Sequence, residues 1–544
     1  MRGNDARVSE AAAATATNKG VLGWIERTGN RLPDPVFLFF WLIAGLIVIS
    51  IVASLASWSA LHPTELDEAT GTARVISAAS LISPENIRRL WVEMPQTFTH
   101  FHPLGYVLVV MLGAGVAERA GLLGTAMRAG VGGAPKALLT PIIVLVGMMG
   151  NLAADAAYVV LIPLAGMIFH AVGRHPVAGI TAAFAGVSGG FSANLIPGQL
   201  DALLFGITEA AVESAFGDFT TNIAGNWYFI AGMTFVFLPV IWFVNDRIIE
   251  PRMGTWNPGG AGTPMIGDED DGPITEAQRK GLRHAGLAML GVIALWLVFV
   301  FGPGTPLIDQ DAPNFQASLT PFYQSLVAGF FLLFLMAGWA YGKAAGTIGD
   351  HRDLVRLMTG AMETLAYYLV LAFAAAHFVA MFGWSNLGLI MAVHGADFLG
   401  STGLPAWALL AGIIVISALL NLFVGSASAK WALLAPVLVP MLMLLGISPE
   451  MATASYRVGD SATNIITPLM VYFPLILIFC QRWQKDFGLG SLAATMLPYS
   501  IGLMIAGLAM TIGWVVLDLP LGPGAQVFME VPTASAVVAP APAS

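Results

Sequence analysis

Charge is what this sequence has least of. Asp, Glu, Lys and Arg make up 10% of its 544 residues, where a soluble globular chain carries about a quarter. Hydrophobic residues make up 57%. A chain with so few charges cannot clothe a water-facing surface, so it reads as an integral membrane protein with several spans rather than a globular domain on an anchor. Cysteine is nearly absent: Cys480 stands alone, which excludes an intrachain disulfide and a thiol cluster for a metal. The histidines and loop carboxylates show no metal-ligand spacing. There is no Gly-rich phosphate loop ending in Lys-Ser or Lys-Thr, so work would have to be drawn from an ion gradient rather than from a nucleotide. No cofactor and no nucleic-acid partner is expected. The first twenty residues are polar, so no cleavable signal peptide is expected.

What is present is long apolar runs. A span needs about 20 apolar residues, and nine segments qualify: 36–58, 101–118, 178–212, 227–245, 285–302, 321–342, 361–383, 450–480 and 490–517. Two more, 137–172 and 405–445, are too long for one helix and polar in the middle. Each reads as a re-entrant hairpin that enters and leaves by the same side. The fold expected is therefore an all-α polytopic membrane protein of nine spans and two helical hairpins. Placing the N-terminus inside puts most of the 24 lysines and arginines in cytoplasmic loops. Counting either hairpin as a full span would invert every later loop and spoil that bias. The implied organisation is a cytoplasmic tail (1–30), a first unit (31–250), an acidic Gly/Pro-rich cytoplasmic linker (251–283), a linking helix (284–318), a second unit (319–520) and an external tail (521–544).

The two units share a pattern. The first hairpin holds "GNLAADAAYVVLIP" and the next span breaks at "GVSGGFSANLIP"; the second holds "LNLFVGSASAKWALLAP" and the next span breaks at "RVGDSATNIITP". Asn151 and Asn194 are 43 residues apart, as are Asn421 and Asn464. The single linking helix between the units would turn the second upside down. Inverted repeats with broken helices meeting near the bilayer midplane are a transporter architecture.

Broken backbone is tolerated in a membrane only where protein or a cavity satisfies it. There, oxygens suit sodium and helix N-termini suit carboxylates. The first unit offers Asn151, Asp155, Ser188, Ser192 and Asn194; the second offers Asn421, Ser426, Ser428, Asp460, Ser461, Thr463 and Asn464. Candidate sodium ligands are Asn151, Asp155, Asn194, Asn421, Asp460 and Asn464. Any one serine is more simply interhelical glue; the four asparagines as a set point to function. Intramembrane charges are functional candidates by default. Arg457 and Asp460 lie three apart on one helical face, placed to pair with each other. Lys430 reads first as a snorkelling anchor and second as a partner for an anionic substrate. Asp201 either lines the substrate path or faces water at the end of its span. Trp431 either stacks on an aromatic substrate or sits at the interface.

The pairing of "NLFVGSASAKWALLAPVLVPM" with "SYRVGDSATNIITPLM", together with "GNLAADAAYVVLIP" and "PGQLD", resembles the AbgT family of p-aminobenzoyl-glutamate transporters over roughly residues 20–520. The resemblance implies a bowl-shaped homodimer in the bilayer, each protomer with nine spans and two hairpins. It also implies uptake of p-aminobenzoyl-glutamate or export of sulfonamide antimetabolites, in a bacterial inner membrane. It places functional positions on Asp201, Asn421, Trp431, Pro449, Arg457 and Asp460. With Ser426 and Ser428 these make the expected substrate site. The leading reading is an ion-coupled carrier of aromatic carboxylates, using sodium or protons. A sodium-coupled dicarboxylate symporter ranks second. An intramembrane protease is a distant third: "GVSG" at 186–189 offers Ser188, but His170 and His175 fall at the cytoplasmic edge, too far to serve as its base.

Overall fold

The computed structural model describes residues 35–67, 72–132, 135–153, 156–217, 223–256, 274–312, 318–467, 470 and 472–531. Asp155 lies outside the described residues. The described residues open with α1 (Pro35–Leu55), a two-stranded antiparallel hairpin of β1 (Ser59–Leu66) and β2 (Ala73–Ser77), and two short helices, α2 (Pro84–Val92) and α3 (Met94–Thr99). The hairpin departs from the all-helical expectation. It lies between α1 and α2, where "SALHPTEL" and "ARVIS" pair antiparallel and so satisfy each other's backbone groups.

Next come α4 (His102–Arg119), α5 (Leu122–Gly132), α6 (Leu139–Met149), α7 (Ala156–Ala171), α8 (Pro176–Phe184), α9 (Gln199–Phe216), α10 (Trp227–Val244) and α11 (Glu250–Met253). The remainder is α12 (Glu276–Phe301), α13 (Thr320–Gln324), α14 (Leu326–Ala345), α15 (His351–Thr364), α16 (Ala366–Trp384), α17 (Leu387–Ser401), α18 (Ala406–Asn421), α19 (Ala427–Met443), α20 (Pro449–Asn464), α21 (Phe473–Trp483) and α22 (Leu489–Val516).

Among the described residues, six helices are long and apolar enough to cross a bilayer by length and composition: α1, α10 with its continuation to Met253, α12, α14, α16 and α22. A seventh forms if α4 and α5, bent by 62° at their junction, count as one. The remaining expected spans, 178–212 and 450–480, are each two helices interrupted by irregular backbone. Helix α8 runs into a wide turn at Ala185–Gly189 and α9 starts only at Gln199; α20 stops at Asn464 and α21 starts at Phe473. In both cases the break follows a Gly- or Ser-rich stretch and precedes a proline, which denies the helix an amide to continue.

Buried apolar side chains fall into two clusters. One joins α8, α10, α16 and α18–α22; the other joins α4, α12 and α14. Helix α20 sits deep in the first and is polar: every residue except Glu450 is buried, including Ser455, Arg457, Asp460, Ser461 and Thr463. Such a helix is stable only if its neighbours supply partners for each polar group. They come very close. At Gly459 an added Cβ would lie 2.2 Å from the Ile414 carbonyl oxygen of α18. Ser417 Oγ of α18 donates to the Tyr456 carbonyl (2.8 Å), and Ser500 Oγ of α22 donates to the Ala462 carbonyl (2.7 Å).

Candidate substrate cavity and cation pockets

The two breaks meet. The Ser192 amide, in the first, donates to Ser461 Oγ in α20 (3.1 Å). One helical turn away, Arg457 pairs with Asp201 at 2.7 Å, with side chains only 2% and 8% exposed. Asp201 is held from behind, because its Oδ2 accepts the Gly198 amide (2.7 Å) and so caps α9. The expectation that Arg457 pairs with Asp460 three residues on is therefore corrected. Both lie on α20, but each finds a counter-charge on another helix that fixes it across the interface.

A cavity of about 230 Å³ opens beside this pair. Its polar wall carries Asn151, Ser192, Asn194, Asp201 and Arg457. Its other walls include the rings of Tyr158, Phe191 and Tyr368 and the apolar side chains of Val107 and Met111 from α4. It lies on the seam between the two apolar clusters. A second, much smaller void, lined by Thr208, Asn226, Glu450 and Thr453, touches the same two charges, Asp201 and Arg457. The ion pair thus partitions two spaces. Tyr158, which stacks on Tyr472 at 4.3 Å, and Tyr368, whose hydroxyl donates to the Pro103 carbonyl (3.0 Å), were not among the expected site residues. Tyr158 stands inside the quoted stretch "GNLAADAAYVVLIP", but its polar residues drew the attention; Tyr368 is a tyrosine in an apolar helix with no motif around it.

The asparagines sit in two separate pockets. In the first unit, Asn151 Nδ2 donates to the carbonyls of Met148 (3.1 Å), Val187 (3.0 Å) and Gly190 (3.3 Å). That leaves Asn151 Oδ1, Asn194 Oδ1 and Ser192 Oγ buried, in residues that line the cavity, without a hydrogen-bond partner among the described residues. Buried oxygens with nothing to accept fit a hard monovalent cation.

The second unit differs. Asn421 Nδ2 donates to the Asp460 carbonyl (2.8 Å), Thr463 Oγ1 (2.9 Å) and Asn464 Oδ1 (2.8 Å). Lys430, 1% exposed, donates to Asn421 Oδ1 and pairs with Asp460 Oδ1 at 2.5 Å. The snorkelling reading of Lys430 is corrected: a counter-charge one helix away makes burial the better solution. The wall of the main cavity does not include Asn421, Lys430, Asp460 or Asn464.

Three more expected substrate contacts have structural work. Ser426 caps α19, accepting the Ala429 amide (3.3 Å), and its hydroxyl lies 3.3 Å from that of Ser428. Pro449 occupies the first turn of α20, after Ser448 caps it. Trp431 is fully buried, neither at an interface nor on the cavity wall. It stacks on Tyr456 at 4.7 Å, and its Nε1 donates to Thr208 Oγ1 (2.9 Å), which in turn meets Thr453 Oγ1 (3.0 Å). Ser188 Oγ, the hydroxyl that suggested a protease, donates to the Met470 thioether (3.1 Å) rather than to a histidine.

The sequence profile described as "AbgT putative transporter family" matches residues 20–529. The chain belongs to the AbgT transporter family. It is a membrane transporter, not an enzyme. It is 37% identical over 518 residues to the p-aminobenzoyl-glutamate transport protein of Escherichia coli (strain K12), covering 95% of this chain and 99% of that one. The crystal structure of the YdaH transporter of Alcanivorax borkumensis superposes with a TM-score of 0.82 at 40% identity, covering 90% of this chain and all of that one. MtrF of Neisseria gonorrhoeae, described with a class of antimetabolite efflux pumps, gives 0.85 at 40% identity, covering 93% and 100%.

Proposed function

We propose that this chain is an ion-gradient-driven secondary carrier of p-aminobenzoyl-glutamate or a related aromatic carboxylate, with sulfonamide antimetabolites as alternative cargo. The observation that carries the reading is the composition of the cavity beside Arg457. A buried guanidinium–carboxylate pair and three aromatic residues line one cavity, at the seam between two apolar cores. An aromatic acid has the matching two ends: a carboxylate for Arg457 and a ring for Tyr158, Phe191 and Tyr368. A carboxylate that engages Arg457 competes with Asp201 for it. Binding of substrate then loosens the contact that joins α9 to α20 and separates the two spaces, which couples occupancy to opening.

In this account the chain has nine spans and two re-entrant hairpins, arranged as an inverted repeat. The hydrogen bonds support that arrangement: Asn151 and Asn421 each donate to a backbone carbonyl 39 residues ahead. The protein sits in a bacterial inner membrane as a homodimer, N-terminus inside and C-terminus outside. The coupling ion is sodium or a proton. The unpartnered oxygens of Asn151, Ser192 and Asn194 support sodium in the first pocket. The test is flux in proteoliposomes with labelled p-aminobenzoyl-glutamate, imposing sodium and proton gradients separately and in both directions. Flux under one gradient supports the reading, and its absence under both overturns it.

A further inference from the structure

The two asparagine pockets match in spacing and share one backbone hydrogen bond, to the carbonyl 39 residues ahead, yet differ in charge. Nine residues after Asn421 stands Lys430, and 39 after it stands Asp460; the same steps from Asn151 reach Val160 and Gly190. The second unit has gained a cation and an anion together, and they meet at 2.5 Å. The ammonium also bonds Asn421 Oδ1, the side-chain oxygen equivalent to the Asn151 Oδ1 that has no hydrogen-bond partner among the described residues. Among the described residues, Lys430 Nζ therefore stands where a free cation would have to coordinate.

We propose that Lys430 is a tethered cation that competes with sodium for Asn421 Oδ1 and Asp460 Oδ1, so that sodium enters the second pocket only when the lysine side chain leaves. This rests on sodium being a candidate coupling ion, and it assigns the two pockets unequal roles. The first is open to an ion from solution, while the second is occupied by the protein's own. The physical reason is exclusion: two positive charges a few ångströms apart in a buried site repel strongly, and the pocket holds one carboxylate to offset them. The same contact joins the hairpin helix α19 to α18 and α20 through a single side chain. Exchange of ammonium for sodium would therefore free the hairpin.

The experiment is sodium-dependent thermal stabilisation of the purified full chain, titrating sodium chloride against choline chloride at constant ionic strength. The variants are Lys430→Gln, which keeps a donor for Asn421, and Lys430→Ala, which leaves room for an ion. The expected result is a sodium midpoint at least about tenfold lower in the variants than in the wild type. Adding Asp460→Asn should abolish that gain. If Lys430→Ala unfolds in choline, sodium should restore it. Equal midpoints in wild type and Lys430→Gln would overturn the proposal. So would the absence of a sodium response in both Lys430→Gln and Lys430→Ala. Gradient-driven flux of the wild type, measured in parallel, separates this failure from failure of the carrier reading, because flux can persist when Lys430 does not compete with sodium.

Discussion

Arg457→Met removes the cation from a pair that has almost no access to water. Its partner Asp201 is 8% exposed at the side chain and keeps only the Gly198 amide. Removing one member of a buried pair costs about 3–5 kcal/mol, because the remaining charge is neither solvated nor compensated. Arg457→Met is therefore expected to lose about that much stability, read as a lower thermal midpoint in detergent. Asp201→Asn combined with Arg457→Met leaves no orphan charge, and the neutral amide can still accept from Gly198. The double variant should regain most of the loss, with a coupling energy of at least about 2 kcal/mol. Stability and function should then part: the rescued double variant should bind no p-aminobenzoyl-glutamate, because the group that receives its carboxylate is gone. Wild-type stability in Arg457→Met would refute the claim that the pair is desolvated. Wild-type binding by the double variant would refute the claim that Arg457 receives the substrate.

Tyr158→Leu keeps an apolar wall but removes a ring, and should weaken substrate binding by roughly 2- to 10-fold, about 0.5–1.5 kcal/mol, in a competition assay. Trp431→Ala should cost about 3–5 kcal/mol of stability, measured by thermal denaturation, since losing a fully buried indole leaves a void beside Tyr456 and removes a donor to Thr208. Gly459→Ala should be destabilising by about 1–3 kcal/mol, because its Cβ meets the Ile414 carbonyl at 2.2 Å and one of two packed helices must shift. Arg174, just after α7, ties the start of α6 to the end of α10 and to α11, bonding Thr140 Oγ1 (2.9 Å), Asp246 Oδ1 (2.7 Å) and Glu250 Oε1 (3.0 Å). Arg174→Gln should raise amide exchange across α6 and α7 without changing binding in the main cavity.

Much of this was legible because membrane proteins punish irregularity. A Gly/Ser-rich interruption in an apolar run can exist only where protein surrounds it, so Asn151, Ser192, Asn194 and Asn421 announced buried breaks before any coordinates. Partners were harder to read. Arg457 and Asp460 share a helix face, and the local rule pairs them. The observed partners, Asp201 and Lys430, come from 256 and 30 residues away, and no local spacing reports a crossing of α20 with α9 and α19. Lys430 misled for a related reason: a lysine in an apolar stretch is ordinarily a snorkelling one, and only a buried carboxylate from a neighbouring helix reverses that choice. The cavity's tyrosines carried no signal, because a ring on a cavity wall and a ring in a packed core look alike in sequence.

The central claim is that this chain moves an aromatic carboxylate across a bilayer through the cavity beside Arg457. Counterflow tests it most directly, because it needs no assumption about the coupling ion. Proteoliposomes loaded with unlabelled p-aminobenzoyl-glutamate are diluted into a trace of labelled substrate. The account predicts transient accumulation of label in wild-type vesicles and none with Asp201→Asn/Arg457→Met. Wild-type accumulation no greater than in protein-free liposomes, or accumulation unchanged in the double variant, would contradict it.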